Sequence, residues 1–204
     1  MSRYQPIVEA LALLAITFPA ALALHQPTLW LLAPFALLTF TKRPYSRYGL
    51  TLDRPGSIRL HASVVAAIFV PYVFGHYALA HWTAGARFNF RLPPDVLSSA
   101  VDQVLVIGLP EEFFFRGYLQ TQLDQACGTP YRLLGARWGI GLPLAAALFA
   151  ACHLLYGGPV RLLVFFPGLL YGWLRARTGT IVVPTLYHAA SNLLMQIMLA
   201  SLSA

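Results

Sequence analysis

Charge is what this chain has least of. Only 10% of its 204 residues are Asp, Glu, Lys or Arg, where a soluble domain usually carries about 25%. Most of its surface therefore cannot meet water, which excludes an ordinary soluble domain. Cysteine is nearly absent: Cys127 and Cys152 make no disulfide framework. Cys152 sits inside an apolar run and reads as a small buried hydrophobe. No internal repeat, low-complexity tract, nucleic-acid module or His-Glu-x-x-His pair is present. The formal net charge of +7 does not indicate nucleic acid, because the basic residues fall in short loops between apolar runs. That is the orientation pattern of a membrane protein, with Lys and Arg gathered in cytoplasmic loops.

What the chain has in quantity is apolar residues, 58% of the total, in long continuous runs rather than alternating ones. Only helices and closed barrels satisfy the backbone in hydrocarbon, and the runs favour helices of about 20 residues. The expected fold is all-α, a polytopic transmembrane bundle of about seven (six to eight) membrane segments forming a single domain over residues 1–204. Ile7–Leu24 and Thr28–Phe40 form a helical hairpin broken at His25-Gln26-Pro27. Ile7–Leu24 is read as a retained first span rather than a signal peptide. The loop Thr41–Arg59 carries Lys42, Arg43, Arg47, Arg54 and Arg59 against Asp53 alone. It is placed in the cytoplasm together with the amino terminus. Leu60–Leu79 returns outward towards Trp82, an interfacial anchor, and Thr83–Asp95 lies on the far side. Val96–Leu123 reads as one long helix interrupted at Gly108 and Pro110. Trp138–Tyr156, Val160–Leu174 and Ile181–Leu202 complete the set.

An ionisable group at the bilayer centre costs about 2.5–3.5 kcal/mol on insertion scales, so polar residues inside the runs are informative. Three clusters stand out. In Pro110-Glu111-Glu112-Phe113-Phe114-Phe115-Arg116, residues four apart share a helix face, so Glu112 and Arg116 pair. Glu111 is turned about 100° away. One carboxylate is thereby neutralised, and the other, poorly solvated, suits a general base. A structural ion pair is the competing reading. In Phe149-Ala150-Ala151-Cys152-His153 an aromatic ring buttresses an imidazole one turn on. In His188-Ala189-Ala190-Ser191-Asn192 two donors stack on one face, an arrangement suited to an oxyanion, while interhelical hydrogen bonding is the plainer account. From a rise of about 1.5 Å per residue, His188, Glu111 and His153 lie roughly 10, 12–18 and 16–22 Å from the cytoplasmic ends of their helices. A shared site then needs tilted or displaced helices.

At these residues the sequence resembles the CPBP (Abi) family, which includes type II CAAX prenyl endopeptidases and bacteriocin-processing and self-immunity proteins. The resemblance rests on Glu111-Glu112 with Arg116 and Gly117, Phe149 with His153, and His188 with Asn192. Gly172-Trp173-Leu174 and Thr178-Gly179 add to it, and it covers roughly Leu109 to Leu194. It implies an intramembrane glutamic endopeptidase needing no cofactor. Glu111 and His153 would activate a water, His188 and Asn192 would stabilise the oxyanion, and Glu112, Arg116 and Phe149 would support them. The implied partners are the lipid bilayer and a membrane-anchored or lipidated protein or peptide, cut near its carboxyl terminus, with no nucleic acid. The implied location is the inner (cytoplasmic) membrane of a bacterium. Two alternatives stay open. One is a zinc protease using His153, His188 and a glutamate, since catalytic zinc takes three protein ligands and a water. The other is a non-proteolytic immunity or scaffold protein. A transporter is disfavoured by the lack of repeats.

Overall fold

The computed structural model describes residues 4–52 and 55–203. Arg3, Asp53 and Arg54, which contribute to the charge pattern, lie outside the described residues. Among those described, seven helical rods follow one another. Helix α1 is Gln5–Leu24, closed by His25 in a left-handed conformation at φ 51°. Helix α2, Leu29–Phe40, follows at once, so the chain turns at the His25-Gln26-Pro27 break expected from the sequence. A 3-10 turn, Tyr45–Tyr48, precedes helix α3, Ile58–Ala84. At its start the Ser57 hydroxyl accepts from the Leu60 N–H at 3.2 Å. It ends on Gly85 at φ 64°, where a residue without Cβ adopts the left-handed cap freely.

Helix α4, residues 96–127, runs without interruption. Gly108 and Pro110 do not break it, contrary to the sequence reading. The helix instead widens to π geometry over Gln103–Gly108, just ahead of the proline, and again over Phe113–Leu119. A widened turn absorbs the missing proline N–H and the clash of its ring with the preceding turn. Gly108 also permits a close approach to α7: a Cβ there would lie 3.3 Å from the Thr185 carbonyl oxygen and 2.7 Å from that of Gln103. Helix α5, Gly141–Gly157, is followed by a 3-10 turn, Pro159–Val164, then α6, Phe165–Thr178, and α7, Val182–Ser201.

Strands are minor. β1, Arg87–Phe88, pairs antiparallel with β4, Leu202–Ser203, tying the end of α3 to the end of α7. β2, Tyr131–Leu133, and β3, Ala136–Trp138, form a hairpin with Arg132 opposite Arg137. At the end of the bundle that carries this hairpin the loops interlock. Arg43 grips both carboxylate oxygens of Glu9 at 2.6 Å, and Tyr118 and Gln122 of α4 donate to the same carboxylate at 2.7 Å. Arg175 donates to the Arg47 carbonyl at 3.0 Å, and the Ile181 N–H to that of Gly49 at 2.9 Å.

Polarity is distributed inside out. Glu112, Arg116, Gln120, Gln122 and His188 are buried, whereas Ile16, Phe74, Leu97 and Leu199 are 63–80% exposed on the outer faces. A water-soluble fold buries such apolar side chains and exposes the ionisable ones. Among the described residues two helices, Gln5–Leu24 and Ile58–Ala84, are long and apolar enough to cross a membrane, and Leu29–Phe40 and Gly141–Leu155 are shorter apolar helices. The core centres on Trp30 of α2, whose ring lies 4.7 and 5.0 Å from Phe114 and Phe115. This packing fixes the face that α4 turns inward.

Candidate active site

Glu111 and Glu112 lie between the two widened stretches of α4, and the structure gives them different surroundings. Glu112 is fully buried, and its Oε1 accepts from Arg116 Nη1 and from His188 Nδ1, both at 2.8 Å. Charge-assisted bonds of this kind are short and strong. Arg116 is held further by the Gly168 carbonyl at 3.4 Å, with its guanidinium 4.2 Å from the Phe149 ring centre and 5.3 Å from that of Tyr171. A Cβ at Gly168 would stand 3.2 Å from the same guanidinium, so the absence of a side chain there admits the arginine. Glu111 keeps 14% side-chain exposure, its Oε2 lies 3.8 Å from His188 Nε2, and that oxygen has no hydrogen-bond partner.

The two imidazoles flank Phe149. Its ring centre is 4.3 Å from that of His153 and 6.0 Å from that of His188. His153 Nδ1 lies 2.9 Å from the Phe149 carbonyl oxygen. A carbonyl only accepts, so Nδ1 carries the proton and Nε2 the lone pair of the neutral ring. The side chains expected from the sequence to share one site, Glu111, Glu112, Arg116, Phe149, His153 and His188, are thus brought together by α4, α5 and α7.

Asn192 lies one turn beyond His188, and its Nδ2 donates to Gln103 Oε1 at 2.7 Å. Gln103 did not emerge from the sequence reading, nor did Tyr171. The Tyr171 ring stacks on His188 at 5.2 Å and 16°, and its hydroxyl donates to Ser191 Oγ at 2.8 Å. The available signal was weak: Gln103 follows Asp102 at the head of the apolar run Val104–Leu109, and Tyr171 is a phenol in an otherwise apolar stretch. Among the described residues no three His, Cys, Asp or Glu side chains gather as a metal-holding set.

Fold and site together define an all-helical protein with a carboxylate–imidazole centre enclosed between helices. The family model described as "Type II CAAX prenyl endopeptidase Rce1-like" matches residues 93–194, half of the chain, and the chain belongs to that family. The match starts upstream of Leu109, so it takes in Gln103 as well as the three motifs. The family is membrane-embedded and implies a CAAX-type intramembrane peptidase; the CAAX proteases act on membrane-associated prenylated proteins. No curated protein and no solved structure matches the chain.

Proposed function

We propose that this protein is a glutamate-dependent intramembrane endopeptidase whose seven rods all cross the bilayer, and that it cuts a membrane-anchored or lipidated protein near its carboxyl terminus. The observation that carries the mechanism is the inequality of the two glutamates. Each keeps an Oε2 without a hydrogen-bond partner, but Glu112 is fully buried with its Oε1 engaged by Arg116 and His188, whereas Glu111 keeps 14% side-chain exposure beside His188. Glu111 removes a proton from a water held with the help of His153, and the resulting hydroxide attacks the scissile carbonyl carbon. The oxyanion receives hydrogen bonds from His188 and Asn192. His188 Nδ1 is engaged by Glu112, so the ring donates from Nε2 when it carries both protons, with a carboxylate on each side as countercharge. Asn192 Nδ2 has two hydrogens, one given to Gln103 and the other to the oxyanion. On collapse the C–N bond breaks and the proton held by Glu111 passes to the leaving amine.

The test is Glu111→Gln in purified protein, assayed on a membrane-anchored peptide before and after exhaustive chelation of the wild type. We expect the variant to fold and insert normally with cleavage lost, and the chelated wild type to keep its rate. Near-normal turnover by Glu111→Gln would remove the general base from the scheme. Loss of wild-type activity that stoichiometric zinc restores would instead make it a metalloprotease.

A further inference from the structure

Beneath the Glu112–Arg116 pair, at the end of the bundle where the basic loops meet, lies a cavity of about 270 Å³. That is far more than the roughly 30 Å³ share of one water. Three separate elements send arginines to it: Arg47 from the turn after α2, Arg137 from the β2–β3 hairpin and Arg175 from the last turns of α6. Arg116 and Gln120 close its floor, and the acid that lines it is Asp124. Its charged lining is thus four guanidinium groups against one carboxylate.

The occupant must offer negative charge to the arginines, and an ammonium headgroup is disfavoured because it would stand among four guanidinium groups. The cavity also borders a membrane-facing edge, because Leu133 and Leu134 of the adjoining hairpin are 53% and 78% exposed, with Tyr131 and Ile140 exposed beside them. Trp173 Nε1 fastens the hairpin to α6 by donating to the Leu133 carbonyl at 3.1 Å. Apolar residues at the tip of an arginine-bearing loop suit the interfacial layer. We propose that this cavity binds the phosphodiester of an anionic membrane lipid of the phosphoglycerol type. The arginines take the phosphate, and the uncharged headgroup adds no cation to the cluster. Because Arg116 forms the floor, an occupied cavity braces the residue that holds Glu112. The proposal rests on the membrane placement argued above and not on the hydrolytic assignment, so its test reads binding rather than cleavage.

Full-length protein in a neutral detergent is melted in mixed micelles containing phosphatidylglycerol, or phosphatidylcholine with the same chains. Soluble glycerol phosphate and inorganic phosphate form parallel arms. Phosphatidylglycerol is expected to raise the melting temperature saturably and phosphatidylcholine is not. Arg47→Ala and Arg137→Ala, both at exposed positions, should each weaken half-saturation about tenfold, the worth of one charge-assisted hydrogen bond. Arg132→Ala, which removes equal charge from the same hairpin outside the cavity, should change nothing. Equal stabilisation by the two lipids overturns the proposal, as does a phosphatidylglycerol effect that survives in the Arg47/Arg137 double variant. A full shift from inorganic phosphate alone, to which lipid adds nothing, overturns the lipid source. Inactivity of the protein as a protease would leave all these readings in force.

Discussion

The decisive residue is Glu112, because one buried oxygen serves both a guanidinium and an imidazole. Glu112→Gln keeps the shape and removes the charge, leaving Arg116 buried without a counter-ion. Breaking a buried pair from one side costs about 3–5 kcal/mol, and unfolding in micelles should show a loss of that order. Glu111→Gln, at a partly exposed and less engaged position, should stay within about 1 kcal/mol of wild type. Equal stability of the Glu112 variant and wild type would mean that the pair does not hold the site. Asn192 poses a kinetic question. Donors aimed at a developing oxyanion act mainly in the transition state, so Asn192→Ala should lower turnover by about 10²–10³ with little change in KM. A raised KM with intact turnover would place Asn192 on the wall of the substrate cavity. Pairs within one helical turn, Glu112–Arg116 and Phe149–His153, were legible in the sequence because local helix geometry fixes them. The bonds from Asn192 to Gln103 and from His188 to Glu112 span 89 and 76 positions. They depend on helix packing, which no local spacing encodes.

Elements were legible where composition changes and hidden where it does not. Apolar runs ending at Pro, Gly or Arg place all seven rods within a few residues of where they lie. The π stretches of α4 contain nothing to distinguish them from ordinary helix, so Gly108 and Pro110 read as a break rather than as a widened turn. Polar clasps between elements were equally hidden: Glu9, an acid inside the apolar run of α1, joins α1, α4 and the loop after α2. The last turn of α4 carries another such joint. Asp124 lies just past the apolar segment Val96–Leu123, and burial pushes its carboxyl up to about 6 against the pull of Arg175. Arg175, just past Val160–Leu174, is pushed down by burial to about 10. For Asp124 the folded value exceeds the unfolded one. Its stabilising contribution is therefore complete below about pH 4 and is lost as pH rises through about 6. Asp124→Asn should gain on wild type by at most about 3 kcal/mol between pH 4 and 7, measured as the difference between paired unfolding curves. A constant difference across that range would show that Asp124 ionises as freely when folded as when unfolded.

The whole molecule has two unlike ends, and their contrast predicts its orientation. At one end meet the start of α1, the turn Tyr45–Tyr48, the β2–β3 hairpin and the end of α6, bringing together Arg43, Arg47, Arg132, Arg137, Arg175 and Arg177. The other end carries the α1–α2 turn and the β1–β4 pair, with Arg87 and Arg91 beside Asp95 and an exposed Trp82 at the rim. Lys and Arg near membrane-spanning ends set topology by remaining in the cytoplasm, so the arginine-rich end is expected to face inward and the β1–β4 end outward. The seven proposed crossings would put the amino terminus inside and the end of α7 outside, which an even number could not do. Single cysteines at Ser46 and Asn89, both exposed and at opposite ends, report this directly once Cys127 and Cys152 are replaced. Ala86 would be a poor reporter because it is only 5% exposed. In intact cells an impermeant maleimide should label position 89 and spare position 46 until the membrane is opened. The reverse pattern would invert the molecule and with it the side from which water reaches Glu111. Labelling of both positions in intact cells would sink the transmembrane arrangement itself, whatever the site proves to catalyse.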